Sequence, residues 1–118
     1  MTPRSAARTP LSTISLYVLL AVADAPLHGY GIIKDVERRT DGVLSLEAGT
    51  LYAALRRLQD EGLIREDARA RPGDDDRRRR YYRLTPLGLE ALRRECARLA
   101  DFLRVARDKR VTPAPHGS

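Results

Sequence analysis

"SLEAGTLYAALRRLQDEGLI", residues 45–64, decides the fold. Leu51, Leu55 and Leu58 recur at intervals of four and three, which stacks them on one side of a helix. Gly62 ends that helix before Leu63 and Ile64. At about 100° per residue, the opposite side carries Gly49, Thr50, Ala53, Arg56, Arg57 and Asp60. Its leading turn is small and neutral, and two arginines follow. Small residues let a helix sink toward base edges, where Thr50 can donate or accept and Arg56 or Arg57 can fork onto guanine or phosphate. Taken alone, the two arginines would be ordinary solubilising charge, so their neighbours matter.

Upstream, Ser12 to about Asp24 is apolar almost all round, densest at Ile14, Tyr17, Val18, Ala21 and Val22, as suits a centrally buried helix stopped by Pro26. A second helix is expected from about Gly29 to Arg39, with Tyr30, Ile33 and Val36 as its apolar side and Gly42 supplying a left-handed end. Downstream, Arg65 to Arg71 reads as a strand, "RPGDDD" as a turn, and Arg79 to Thr85 as a returning strand in which Tyr82 and Leu84 share a face. Alternation sends Arg77, Arg78, Arg79 and Arg80 to both faces of the hairpin, so at least two can reach phosphates, and Tyr81 can hydrogen-bond another. Asp74, Asp75 and Asp76 either sit at the turn tip or pair with these arginines and restrain them.

Thr85 followed by Pro86 opens a last helix, a threonine cap with proline where a missing N–H costs nothing. Along it Leu89, Leu92, Cys96, Leu99, Leu103 and Ala106 repeat at three and four, a seam suited to a partner helix. Burying each leucine is worth about 1.5 to 3 kcal/mol, so four per chain set a gross gain against association costs of roughly 4 to 15 kcal/mol. The expected organisation is a flexible arm over 1–10, a helical domain with a small β-hairpin over 11–85, a C-terminal dimerisation helix over 86–108 and a disordered tail over 109–118.

The 118 residues amount to one domain, helped by a partner chain. A net charge of +6 makes polyanions the first partners to consider. The lone Cys96 excludes an internal disulfide and fits a reducing, cytoplasmic setting; in the seam it reads as a small hydrophobe, with oxidant sensing the alternative. The first 25 residues resemble a secretory leader in their early arginines and in Ala21-Val22-Ala23. Against that, Ser15 interrupts the apolar run, Ser12 can cap a helix, and Leu11 can staple to Leu16. The run is also roughly half of the ~20 apolar residues a membrane span needs. With only His28, His116 and Cys96 available for nucleophilic or metal chemistry, no catalytic or metal-binding residues and no cofactor are expected.

Three helices followed by a hairpin form the order of a winged helix-turn-helix, in which the third helix enters the major groove of double-stranded DNA and the hairpin reaches the backbone. "HGYGI" at 28–32, "GTLYAALRRLQDEGLI" at 49–64 and "RRYYRLTPLG" at 79–88 resemble the PadR family of bacterial transcriptional regulators, in its short form with one C-terminal helix; the likeness covers about residues 11 to 107. The resemblance implies a homodimer that represses its target by occupying an operator and is released by a small molecule or another signal. It places Thr50, Tyr52 and Ala53 where the recognition helix meets DNA, and gives Gly29 and Tyr30 the task of positioning the second helix. Many relatives have proline where this chain has Ala53. Two recognition helices would face half-sites about 34 to 36 Å apart on an inverted repeat. The effector is not legible; with no Trp and a single Phe there is no evident aromatic sandwich for one. A protein-interaction adaptor built on the same core, binding a protein through the basic hairpin, is the alternative reading.

Overall fold

The structure is a computed structural model that describes residues 10–68 and 80–114. Helix α1 (Thr13–Ala21) begins at Ser12, whose hydroxyl accepts from the Ser15 N–H at 3.1 Å. It lies at the centre of the molecule, with Val18, Leu19, Ala21 and Val22 buried and Ile14 and Tyr17 half-buried. Strand β1 (Leu27–His28) leads into helix α2 (Gly29–Arg39), and helix α3 (Ala48–Asp60) follows. Strands β2 (Ile64–Glu66) and β3 (Tyr81–Leu84) precede the long helix α4 (Pro86–Asp108). This is the expected mainly helical winged-helix architecture with one small antiparallel sheet.

Among the described residues the sheet has three strands rather than the two of the expected hairpin, in the order β1-β3-β2. Leu27 pairs with Tyr82 and His28 with Tyr81, while Ile64 pairs with Leu84 on the other side of β3. β1 is only two residues long, too short to show alternation, and it forms because β3 offers an open edge. β3 is thereby flanked on both sides and anchors the core through Tyr82, which is 4% exposed. Burial, with Glu66 adding to it, raises the Tyr82 phenol above its ordinary pKa.

The side of α2 that faces the core is Ile32 with Val36, with Ile33 only half-buried, and Tyr30 points to solvent at 62% exposure. The expected stripe of Tyr30, Ile33 and Val36 is therefore rotated. Gly29 rather than Tyr30 packs inward: a Cβ at Gly29 would lie 2.8 Å from the Tyr52 hydroxyl, so a side chain there would push the end of the Tyr52 ring aside. At the end of α2 Gly42 is left-handed, as expected. Asp41 takes the first left-handed position, and its N–H and that of Gly42 bond back to the Arg38 and Glu37 carbonyls.

At the α3 terminus Gly62 is left-handed, and the N–H groups of Gly62 and Leu63 bond to the Gln59 and Leu58 carbonyls. The start of α4 is built onto this turn. The Thr85 hydroxyl accepts from the Gly88 N–H at 2.9 Å and donates to the Gly62 carbonyl at 2.6 Å, while the Thr85 N–H donates to the Leu63 carbonyl at 3.1 Å. Leu51, Leu55 and Leu58 of α3 meet Val18, Leu19, Ile32 and Val36 in the core, which Ala91 and Leu92 of α4 close from below.

Candidate nucleic-acid interface

The side of α3 turned away from this core is continuous and open. Thr50, Ala53, Arg56 and Arg57 are exposed on it, and Tyr52 is 52% exposed. Gly49, Tyr52, Ala53, Arg56, Arg57 and Asp60 line a shallow groove of about 440 Å³. Gly49 and Ala53 keep its floor low: at these two positions nothing larger than a methyl group stands on the helix backbone, with Tyr52, Arg56 and Arg57 beside them. No side chain caps the first turn of α3 at Glu47.

The two arginines are held differently. Arg57 donates to the hydroxyl of Ser15 on α1 at 3.3 Å, and Ser15 is 3% exposed, so one arm of this guanidinium is used to tie α3 to the central helix. Arg56 forms no ion pair among the described residues. The Ser15 that interrupts the apolar run of α1 is thus the anchor of a groove residue, and that interruption is the one trace of the tether in the sequence. The Tyr52 hydroxyl rests close to Gly29, 2.8 Å from where a Cβ at that position would be.

The wing side of the interface begins at Arg80, which pairs with Glu66 across the sheet at 3.2 Å with both side chains exposed. An exposed pair of this kind contributes on the order of 0 to 1 kcal/mol and yields readily to a phosphate. Arg83 is engaged with Asp67 at 3.1 Å. Tyr81 is half-buried, its ring edge-on to His28 with centres 5.1 Å apart. Arg77, Arg78 and Arg79, with Asp74, Asp75 and Asp76, lie outside the described residues.

On α4 the expected seam divides. Leu89, Leu99 and Leu103 are 38%, 48% and 41% exposed, and Cys96 is exposed as well. Leu92 is 6% exposed inside the chain's own core, and Ala106 is covered where the chain turns back, the Val111 N–H bonding to the Ala106 carbonyl at 3.0 Å. These two have little surface left to give to a second chain. Phe102, which the heptad reading passed over, is the most exposed large apolar residue of the helix at 71%, and Val105 stands near it. The seam divides because the first turns of α4 lie over the core, the later ones run beyond it, and the returning chain covers Ala106. Glu95, on the inward side, is buried and paired with Arg98.

Among the described residues no three His, Cys, Asp or Glu side chains come together as a metal site requires, and no helix is long and apolar enough to cross a membrane.

Comparison with known proteins agrees with this geometry. The profile of the "Transcriptional regulator PadR-like family" matches residues 18–94, from the central helix through the first turns of α4. The chain is 33% identical over 93 residues to the transcriptional regulator Rv3488 of Mycobacterium tuberculosis, covering 79% of this chain and 81% of that one. It is 40% identical over 85 residues, 72% of its length, to an uncharacterized 37.1 kDa protein of transposon TN4556 from Streptomyces fradiae, and spans 22% of that longer protein. The crystal structure of a PadR family transcriptional regulator from Eggerthella lenta DSM 2243 superposes with a TM-score of 0.64 at 30% identity, over 85% of this chain and 84% of that one. Members of this family are regulators of transcription rather than enzymes. With the winged-helix architecture, the matched profile and these relatives in agreement, the chain belongs to the PadR-like family of transcriptional regulators.

Proposed function

We propose that this regulator acts in the cytoplasm as a homodimeric, sequence-specific repressor that binds an inverted-repeat operator and releases it in response to a small molecule. The observation that carries the reading is the exposed side of α3, where Gly49, Thr50 and Ala53 leave the leading turns low and Arg56 reaches out beyond them. A helix with that profile fits the major groove, its small residues permitting close approach and its arginine supplying a fork for guanine or phosphate. Tyr52 flanks the same side, and Arg57 offers the guanidinium arm that Ser15 does not hold. Arg80 and Tyr81, with Arg77, Arg78 and Arg79 from the hairpin, are assigned to the phosphate backbone on the wing side.

Dimerisation is assigned to α4, with Leu99, Phe102 and Leu103 at the centre of the seam and Leu89 and Cys96 beside it. Three large apolar groups left in water on one helix gain about 1.5 to 3 kcal/mol each when a second chain covers them. An effector pocket is expected between the paired last helices and the core. No residue is assigned to it.

The test is footprinting of the purified protein on DNA upstream of its own gene, with and without candidate small molecules. A protected inverted repeat is expected, with affinity falling roughly 10³ to 10⁵ fold between 50 and 200 mM salt if about 6 to 10 phosphates are neutralised. Equal affinity for promoter and random DNA would instead favour an adaptor that binds a protein partner.

A further inference from the structure

Between the groove on α3 and the wing strand three aromatic rings meet, and of these the DNA-binding assignment uses Tyr81 and leaves His28 and Tyr30 without a role. His28 pairs with Tyr81 across β1 and β3 and stands edge-on to its ring. The other side of the His28 ring is stacked against Tyr30, with centres 6.4 Å apart and planes 13° from parallel. His28 cannot swing away cheaply, because its Nδ1 accepts from the Gly31 N–H at 3.1 Å and caps α2. Tyr30 is therefore a solvent-facing phenol held on a rigid support. Lys34, about one helical turn further on, places its Nζ 5.6 Å from the centre of the Tyr30 ring.

The cluster is continuous with both parts of the proposed DNA-binding surface. Gly29, next to His28 and Tyr30, lies against the Tyr52 hydroxyl that lines the α3 groove, and Tyr81 adjoins Arg80 at the start of β3. Its charge complements an anion: Lys34 has only an exposed partner, Glu37 at 3.7 Å, which a phosphate displaces at little cost.

We propose that Tyr30 and Lys34, supported by His28 and Tyr81, form a phosphate-binding site for the duplex strand that passes between α3 and the wing. The site rests on the DNA-binding function proposed for α3 and adds two donors to it. The Tyr30 hydroxyl donates to a phosphate oxygen and the Lys34 ammonium neutralises one; neither reads a base, so the site fixes the depth and tilt of α3 in the groove without contributing to sequence preference.

The test uses full-length protein, one duplex recovered from a random library by the wild type, and one scrambled duplex of equal length. Tyr30→Phe keeps the stacked ring and removes the donor; Lys34→Gln keeps a polar side chain, one atom shorter, and removes the charge. Both residues are exposed, so unchanged thermal midpoints are expected and serve as the folding control. Each variant is expected to bind about 3- to 10-fold more weakly to both duplexes by the same factor, and Lys34→Gln to lower the slope of log affinity against log salt by about 0.9 for each phosphate it leaves unneutralised. Wild-type affinity and slope in both variants, or a weakening confined to the selected duplex, overturns the proposal while DNA binding stands. Salt-independent binding by the wild type itself overturns the DNA reading and this site with it.

Discussion

Gly88 sets two physical effects of opposite sign against each other, and their sizes decide the outcome of one substitution. It occupies the first turn of α4, where helix propensity alone favours alanine over glycine by about 1 kcal/mol. A Cβ there would sit 2.0 Å from the Leu63 carbonyl oxygen and 2.8 Å from the Leu84 side chain. The nearer obstacle is backbone, so the strain is not relieved by a rotamer change. Restoring ordinary separation at 3.4 Å requires α4 to retreat by about 1.4 Å from the α3–β2 turn. The Thr85 hydroxyl bond to Gly62 and the Thr85 N–H bond to Leu63 would then stretch beyond useful length, at about 1 kcal/mol each. Overpacking adds roughly 1 to 3 kcal/mol. Gly88→Ala is accordingly expected to destabilise by about 2 to 4 kcal/mol, a lowering of the midpoint of roughly 10 to 15 °C for a domain of this size. The assay is urea and thermal unfolding at fixed protein concentration, since a dimer's midpoint depends on it. Gly49→Ala is the internal control: a Cβ there meets nothing within 4 Å, so propensity acts alone and stability should rise by up to ~1 kcal/mol. A Gly88→Ala protein as stable as wild type would refute the dependence of α4 docking on this close approach.

Three further outcomes are expected. Leu103→Glu places a charge in the proposed seam and should convert a dimer to a monomer in sedimentation equilibrium, with DNA affinity falling alongside; a dimer that persists would move the seam elsewhere. Thr85→Val loses the cap on Gly88 and the bond to Gly62, and should cost about 2 kcal/mol in urea unfolding. The raised Tyr82 phenol makes the folded state hold its proton longer than the unfolded chain does, so its contribution is fully present below pH ~10 and is lost as pH rises beyond that value. Tyr82→Phe should therefore flatten the alkaline fall in stability measured by unfolding between neutral and strongly basic pH.

The parts legible in the sequence are those set by local chemistry. Thr85-Pro86 announces a capped helix, Gly62 a left-handed stop, and the spacing of Leu51, Leu55 and Leu58 a buried side whose reverse is the α3 groove. What stayed hidden depends on residues distant in the chain. β1 exists because β3 has an edge to fill, and its two residues carry no pattern of their own. Periodicity puts Tyr30 on the apolar side of α2, whereas Ile32 and Val36 face the core and Tyr30 faces solvent. Leu92 shares its spacing with Leu99, yet only Leu92 lies over the core, because the rest of α4 runs on beyond it.

β3 and α4 are separated by Thr85 alone, and that residue is pinned to Gly62 and Leu63 at the end of α3. Mechanically this makes the wing strand and the long helix two arms of one lever, with the threonine as its fulcrum and α3 bolted to the same pivot. In the proposed dimer, torque applied far out along α4 reaches the wing and the tail of α3 through this pivot as well as through the core contacts of Ala91 and Leu92.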